Sequence, residues 1–313
     1  MRSERGVALI VVLLVLALLA VVVTESAYSA RLEASMVRAY RDGVVAQHLA
    51  EAGVHQAIRE ILSQAQVTAV DGDGALVFYR SLPGQTTPAR VPALPRTRVA
   101  LGAGEFSYRI SDEAGRLGLN GADTTRLHRL LLALDVDRPQ RDIITDSLQD
   151  WQDANELHRA HGAESDFYLN LPVPYRARNG NLQDASELLQ IRGVTPELYF
   201  GGGGRPGLGD LVTAVTTTTV NLNTAPPLVL KAYGLSDAEI GDVVQTRVRA
   251  PYPTVPGRFA GRGFTVGSGA FRIEAEGLVG GIARSRIVAV VRRGRPGRGL
   301  DMIVVSWRPG AQP

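Results

Sequence analysis

The feature that most constrains this chain is an unbroken apolar run at residues 7–23, VALIVVLLVLALLAVVV, which follows the short leader MRSERG. At ~1.5 Å per residue, a helix of this length spans about 25 Å, the short end of what crosses a bilayer. Arg2 and Arg5 lie before the run. Because positive charge stays on the cytoplasmic side, the sequence predicts a cytoplasmic N-terminus and an exported remainder.

The helix predicted for this run continues well beyond the membrane. Residues 25–66 contain no proline, and their apolar residues recur at helical spacing. A helix from Val7 to about Ala65 is about 90 Å long, so half of it can pack on a globular body outside the bilayer. The alternative is a cleavable signal peptide, whose cleavage site the small residues of AYSA at 27–30 imitate. A signal peptide, however, does not require a helix that continues so far beyond the apolar run.

The composition is that of a globular exported protein without disulfides. Hydrophobic residues make up 45% and charged residues 21% of the 313 residues, which suits a buried core and two domains of ordinary size. The net charge is only +3, and the chain contains no cysteine. The missing cysteine excludes disulfides and a thiol nucleophile, so the stability of the fold must come from packing or from a metal ion.

The order of the sequence patterns predicts an α+β fold interrupted by helices. A strand pattern at 106–110 follows the long helix, helical periods fill 123–211, and alternating strands with glycine-rich turns run from Phe264 onward. We therefore expect a long N-terminal helix packed on an antiparallel sheet, with a large inserted all-helical domain. The expected segments are a leader at 1–6, a membrane helix at 7–23, an α/β domain at 24–121 and 213–313, and an inserted helical domain at 122–212.

Carboxylate and amide side chains crowd one segment of the helical region: Asp150, Asp153, Asn155, Glu156, Glu164 and Asp166. Such oxygen ligands suit a hard cation, and calcium accepts the irregular spacing of a loop. Acids crowded together repel one another unless a cation neutralises them. The spacing matches no EF-hand loop, so a solvated acidic loop remains an open alternative.

Two other chemistries have weaker support in this segment. His158 and His161 flank the acids near Glu156, but the chain has no HExxH motif for zinc. No GxSxG motif of a serine hydrolase occurs either. We therefore expect that the protein is not an enzyme.

The segment SELLQIRGVTPELYF at 186–200 resembles the helix-hairpin-helix motif of many DNA-binding proteins. In such a motif the hairpin amides face phosphate, and basic neighbours strengthen binding. Here only Arg192 is basic near the hairpin, Glu187 and Glu197 flank it, and the acidic loop at 150–166 would repel phosphate. We interpret the segment as a structural helix pair used for protein contacts, and expect no nucleic acid partner.

The pair Arg5-Gly6 directly before the apolar run resembles the leader of type IV pilin-like proteins. In that family a membrane peptidase cuts after the glycine, which here implies cleavage between Gly6 and Val7. The helix that begins at Val7 is then the assembly element. Most members carry glutamate at the fifth mature position, where this chain has Val11. In lacking this acid, the chain resembles the largest minor pseudopilin of type II secretion, the general secretion pathway protein K family.

Several segments in the body of the chain resemble segments of the same family and occur in the same order along the sequence. They are DEAGRLGLN at 112–120, DWQDANE at 150–156, GAESDFY at 162–168, PYRARNGNL at 174–182, SELLQIRGVTPELY at 186–199 and VNLNTAPPLVL at 220–230. The resemblance implies a pilin-like α/β body split by an all-helical domain that binds calcium. We expect Asp150, Asp153 and Glu164 to lie nearest to the ion, with Asn155 and Asp166 as further candidates.

The resemblance implies a minor pseudopilin at the tip of the periplasmic pseudopilus, which supports assembly initiation and protein export across the outer membrane. Its implied partners are the I- and J-type minor pseudopilins in a tip complex, the major pseudopilin and the prepilin peptidase. The chain would cross the inner membrane once, with its bulk in the periplasm. The alternatives are a minor pilin of a type IV pilus, a membrane-anchored DNA-binding protein with a helix-hairpin-helix, and a periplasmic calcium-dependent enzyme.

Overall fold

A single long helix opens the fold. The computed structural model describes residues 3–62, 67–71, 75–80, 87–121, 123–294 and 302–310, with only the backbone described at 3–8. Helix α1 (Ser3–Ile61) has 59 residues, which corresponds to about 90 Å. The prediction of one continuous helix from Val7 onward is confirmed as far as Ile61, whereas Ala65 lies outside the described residues.

The C-terminal half of α1 packs on a sheet through small residues. Ala46, Ala50, Gly53 and Ala57 recur every three or four positions, so they share one face of the helix, and all four are buried. The sheet approaches just as closely, since a Cβ added at Gly277 would lie 1.8 Å from the Ala46 carbonyl oxygen. Larger side chains on this face would push the helix and the sheet apart.

The described strands between α1 and the helical region are mostly short. They are β1 (Val67–Val70), β2 (Leu76–Arg80), β3 (Ala89–Arg90), β4 (Val99–Leu101) and β5 (Gly104–Asp112). The first three form a small antiparallel sheet. The strand predicted at 106–110 is confirmed as part of β5.

The middle of the chain forms helices joined by two-residue strands. In order, these are β6 (Leu117–Gly118), α2 (Thr124–Ala133), α3 (Arg138–Gln152), α4 (Ser165–Leu169), α5 (Pro196–Phe200), β7 (Gly201–Gly202), β8 (Arg205–Pro206), α6 (Leu208–Leu211), β9 (Val212–Thr213), β10 (Val220–Asn221), α7 (Pro227–Ala232), α8 (Asp237–Arg249) and β11 (Phe264–Thr265). Short 3-10 helices occur at Glu113–Gly115, Ala185–Gln190 and Gly257–Phe259. The helical periods predicted within 123–211 are confirmed at α2 and α3.

Three longer strands close the described fold: β12 (Ala270–Val279), β13 (Ile282–Arg293) and β14 (Met302–Pro309). They are antiparallel neighbours in a five-stranded sheet of order β14-β13-β12-β5-β4. The predicted C-terminal meander is therefore confirmed for these strands. The predicted strand that begins at Phe264 does not belong to it, because β10 returns from the helical region beside β11 and pairs with it in parallel.

The described residues form two hydrophobic cores. One lies between α1 and the five-stranded sheet. The other is built mainly by the helices and contains side chains from Leu117 to Phe264. The predicted fold class, a long N-terminal helix on an antiparallel sheet with helices inserted, is confirmed. The boundaries 122–212 for the inserted domain stay a prediction, although α7 and α8, which follow residue 212, also contribute to the second core.

Helix α8 is not among the elements predicted from the sequence. It begins with a capping box, in which Ser236 accepts a hydrogen bond from the Glu239 backbone and the Glu239 side chain accepts one from the Ser236 backbone. Only Ile240 and Val243 of this helix are buried. Its apolar period is therefore too short to reveal the helix, and the capping box is the signal that could have found it.

Candidate functional site

The first candidate site is the apolar surface of α1. Among the described residues, one helix is long and apolar enough to cross a membrane, judged by length and composition, and none of its most apolar window is buried. The core helix of a soluble protein would be mostly buried. This surface therefore suits either a lipid environment or the apolar helices of other subunits.

The predicted processing site lies at the start of this helix. Gly6 and Val7 lie in the part of α1 where only the backbone is described. Val11 is exposed on the helix surface. Cleavage after Gly6, and an assembly role for Val7 and Val11, stay predictions.

The second candidate site is a cluster of three carboxylates in the helical region. Asp150 lies in the last turn of α3, Asp153 directly follows α3, and Glu164 directly precedes α4. One oxygen from each residue lies within 4.8 Å of the other two. Because calcium binds oxygen at about 2.3–2.6 Å, ligands on opposite sides of one ion are about 4.6–5.2 Å apart. The three oxygens can therefore all reach a single cation.

The buried face of α3 fixes the position of these acids. Ile144, Leu148 and Trp151 follow helical spacing and are buried in the second core. The ring of Trp151 packs edge-on against Tyr168 of α4, with centroids 5.2 Å apart. This contact joins the end of α3 to α4, the helix that follows Glu164. The acids on both sides of the intervening loop therefore face each other.

Glu164 is buried without a hydrogen-bond partner. Its side chain is 1% exposed, and neither carboxylate oxygen accepts a hydrogen bond. Burial, followed by the negative charges of Asp150 and Asp153, raises the pKa of Glu164 to about 7. An unsatisfied buried polar group costs about 1–3 kcal/mol, and more when it is charged. The position therefore favours either a proton or a cation on Glu164.

Arg159 is the member of the cluster that sequence reasoning missed. Its Nη1 donates hydrogen bonds to Asp150 Oδ1 at 2.5 Å and to Asp153 Oδ2 at 2.6 Å. Its backbone N–H also donates to Asp150 Oδ2 at 3.2 Å. The hydrogen bond with Asp153 raises the pKa of Arg159, so the guanidinium stays charged. The only signal in the sequence is that Arg159 is the single arginine between positions 150 and 164.

Gly162 leaves room for the buried carboxylate of Asp150. A Cβ added at Gly162 would lie 1.8 Å from Asp150 Oδ2. The carbonyl oxygen of Gly162 accepts a hydrogen bond from Arg192 Nη1 at 3.0 Å, which holds the loop in place. The absence of a side chain at this position is thus a requirement of the acidic cluster.

The further predicted ligands, Asn155 and Asp166, differ in how they lie relative to the three carboxylates. Asn155 contacts the cluster through Asp153, since its Nδ2 donates to Asp153 Oδ1 at 2.8 Å. The acceptor oxygen of Asn155 is taken by the backbone N–H of Leu157 at 2.8 Å. Asp166 is exposed, and its Oδ1 lies 3.0 Å from His158 Nε2. The structure therefore brings together Asp150, Asp153 and Glu164, with Asn155 bonded to Asp153, whereas Asp166 is not among the grouped carboxylates.

The residues weighed for zinc do not converge on the three carboxylates. His158 faces Asp166, and the backbone N–H of His161 donates to Asp146 at 3.0 Å. Glu156 accepts hydrogen bonds from Ser165 and Asn179. Neither histidine belongs to the group of possible metal ligands found in the described part of the chain.

The helix-hairpin-helix-like segment packs against the same α3. A 3-10 helix (Ala185–Gln190) and α5 flank Gly193, which has a positive φ of 88° and lies against Ile143 and Ile144. Arg192 stacks over the Phe167 ring at 4.8 Å and donates to Gly162, so its charge is engaged within the domain. This packing supports a structural helix pair, while the expected lack of a nucleic acid partner stays a prediction.

Comparisons with known proteins place the acidic cluster within a family. The family model described as type II secretion system (T2SS), protein K matches residues 112–200, which contain all three carboxylates. The chain is also 30% identical over 243 residues to the type II secretion system protein K of Klebsiella pneumoniae, with 72% of this chain and 68% of that protein aligned. The chain belongs to the type II secretion system protein K family.

A second protein K, from Pectobacterium carotovorum subsp. carotovorum, is 33% identical over 222 residues, which are 64% of this chain and 61% of that relative. The chain thus matches less than two thirds of that relative's length. The fold is similar to a chain in the crystal structure of the GspK-GspI-GspJ complex from the enterotoxigenic Escherichia coli Type 2 Secretion System. The TM-score is 0.60 at 18% identity, with 90% of this chain and 99% of that chain covered. The protein K assignment confirms the predicted family, and nothing in these comparisons supports the type IV pilin or DNA-binding alternatives over it.

Proposed function

We propose that this protein is a minor pseudopilin at the tip of the periplasmic pseudopilus, where it supports assembly initiation and protein export across the outer membrane. Membership of the protein K family carries the proposal. Helix α1 supports it, because one end exposes an apolar surface and the other end packs on the five-stranded sheet. The same helix can anchor the chain in the membrane before assembly and pack beside other pseudopilin helices afterwards.

Val11 supports a position at the end of the fibre. In ordinary pilin-like subunits, a glutamate at this position is thought to pair with the N-terminal amine of a neighbouring subunit. The exposed side chain of Val11 cannot accept that charge. A subunit with no subunit above it does not need the pair, and the bulk of the inserted helices would obstruct lateral stacking along a slim fibre.

The proposed partners are the I- and J-type minor pseudopilins, which would form a tip complex with this chain above the major pseudopilin. The fold likeness to a chain of the GspK-GspI-GspJ complex supports this proposal. The prepilin peptidase would act between Gly6 and Val7 on the cytoplasmic side of the inner membrane. The rest of the chain would lie in the periplasm, in accord with Arg2 and Arg5 before the apolar run. The proposed role is structural, without enzymatic activity.

A secretion assay in the source organism tests this function. A strain that lacks this chain should fail to release the proteins exported by its type II secretion system into the medium. Expression of the full chain should restore their release. The substitution Asp237→Ala changes an exposed side chain and should restore release as well as the wild type does. Normal secretion in the strain without the chain would contradict the proposed function.

We further propose that Asp150, Asp153 and Glu164 hold a calcium ion. The unpartnered, buried oxygens of Glu164 and the spacing of the three carboxylates support the site, and a hard cation suits an all-oxygen ligand set. The ion would neutralise the acids and tie the end of α3 to the start of α4. Isothermal titration of the full chain in detergent with Ca²⁺ should give binding heat and a raised unfolding temperature. A titration with neither effect would exclude the site.

A further inference from the structure

Arg159 occupies the side of the carboxylate cluster that a cation would need. Its Nη1 lies 2.5 Å from Asp150 Oδ1 and 2.6 Å from Asp153 Oδ2. A calcium ion lies about 2.3–2.6 Å from its oxygen ligands. The nitrogen therefore lies at the distance from both oxygens that a bound ion would have.

The two positive groups exclude each other at this position. A guanidinium has no lone pair available for a metal and stays protonated in proteins, so Arg159 cannot become a ligand. Its positive charge also repels a divalent cation at such a short distance. Cation binding through these same two oxygens therefore requires that Nη1 leave both of them.

The side chain of Arg159 has room to move, whereas Asp150 and Glu164 are fixed by burial. Asp150 is fully buried at the end of α3, and Glu164 is 1% exposed. The side chain of Arg159 is 36% exposed and lies in the loop between α3 and α4, so its guanidinium can turn into solvent. Arg159 bonds two of the three carboxylates and leaves both Glu164 oxygens without a partner. A divalent ion can serve all three carboxylates, which gives it an advantage over the single positive charge.

We propose that Arg159 is a built-in competitor of the cation: it bridges Asp150 and Asp153 when no divalent ion is bound, and it swings into solvent when one binds. Arg159 thereby sets the calcium concentration at which the loop between α3 and α4 is locked. This inference rests on the cation site proposed above. It assigns Arg159 a regulatory role at that site, in addition to the three ligands.

Calcium titration of the full chain in detergent, for the wild type and for Arg159→Met, tests the competition. Methionine keeps an unbranched apolar side chain and removes the charge. If Arg159 holds the position in about nine of ten ion-free molecules, its removal should tighten the apparent Kd for Ca²⁺ about tenfold. In a chelator, the same variant should unfold at a lower temperature than the wild type, because buried Asp150 loses its charged partner.

Three further variants make the test specific. Arg159→Gln is a second neutral variant and should also bind Ca²⁺ more tightly, while Arg159→Lys keeps the charge and should remain close to the wild type. Arg138→Met removes the same charge at an exposed arginine and should leave the Kd unchanged. Equal or weaker Ca²⁺ binding by Arg159→Met and Arg159→Gln, with binding by the wild type intact, would overturn the competitor role alone. Absence of binding in every variant would overturn both this role and the cation site.

Discussion

The side-chain amide of Asn221 donates a hydrogen bond of 2.9 Å to Asp112 Oδ2, at the point where the chain leaves the main sheet. Asp112 is the last residue of β5, and Asn221 lies in β10. The same carboxylate oxygen accepts bonds from Thr224 Oγ1 at 2.6 Å and Ser268 Oγ at 2.5 Å. One buried carboxylate thus connects the strand before the helical region with the segments that follow it.

Replacement of Asp112 by alanine should destabilise the fold. The change removes the acceptor of the buried Thr224 hydroxyl and one of the three acceptors of the Asn221 side-chain amide, and a buried group left unsatisfied costs about 1–3 kcal/mol. We expect a loss of about 2–4 kcal/mol, seen as a lower thermal midpoint of the full chain in detergent. Asp237→Ala, which removes an exposed carboxylate, should change stability by less than about 0.5 kcal/mol. Similar midpoints for the two variants would refute the role of Asp112.

The substitution Gly162→Ala should disturb the carboxylate cluster. The new Cβ would lie 1.8 Å from Asp150 Oδ2, so either the loop or the buried acid must move. Overpacking of this kind costs about 1–3 kcal/mol, and Ca²⁺ affinity should fall with it. Gly241→Ala is a matched control, because its Cβ meets nothing within 4 Å. Unchanged stability and Ca²⁺ affinity in Gly162→Ala would show that the loop does not need a glycine.

Removal of the charge of Glu164 should have opposite effects with and without calcium. In a chelator, Glu164→Gln should be at least as stable as the wild type, because a buried carboxylate without a partner is replaced by a neutral group. With Ca²⁺ at a hundred times the Kd, the wild type should gain about 2.7 kcal/mol by mass action. Glu164→Gln should lose most of this gain. Differential scanning calorimetry at both conditions measures the two effects.

Asp166→Asn is the control for this experiment. Asp166 is one of the further ligand candidates, but it pairs with exposed His158 and lies apart from the three-oxygen group. Its substitution should therefore leave the gain from Ca²⁺ nearly intact. If Asp166→Asn abolishes the gain while Glu164→Gln keeps it, the assignment of the ligands is wrong.

The predicted leader should be removed by the prepilin peptidase. Co-expression of the full chain with the peptidase should yield a product whose N-terminal sequence begins at Val7, and Gly6→Val should block the cut. Gly43→Ala changes another glycine of α1, whose Cβ position is open, and should be processed normally. A mature N-terminus near Ser29 would instead indicate an ordinary signal peptide.

Much of the architecture follows from patterns that act over many residues. The absence of proline after the apolar run predicts α1, and strict alternation predicts β12, β13 and β14, because these periods persist for whole elements. Helix α8 escapes such reasoning, since its buried residues Ile240 and Val243 span only one turn. An apolar period of one turn is too short to predict a helix between segments whose sequence is typical of loops.

The three carboxylates of the candidate site were predictable from the sequence, but the arginine and the glycine beside them were not. Asp150, Asp153 and Glu164 are expected from residue type together with the family resemblance, and the fold brings them together. The role of Arg159 depends on the path of the loop, which turns its guanidinium onto two carboxylates. The need for Gly162 depends on the close approach of the Asp150 carboxylate, which leaves no room for a Cβ and which no spacing in the sequence reveals. Contacts between distant side chains become visible only in the folded chain.

The central claim, that this chain is the K-type member of a pseudopilus tip complex, is tested most directly by mixing it with its proposed partners. The full chain would be co-expressed with the I- and J-type pseudopilins of the same system, extracted in detergent and analysed by light scattering on a size-exclusion column. The account predicts one species whose protein mass equals one copy of each chain. Separate elution of the K-type chain, with both partners folded, would contradict it.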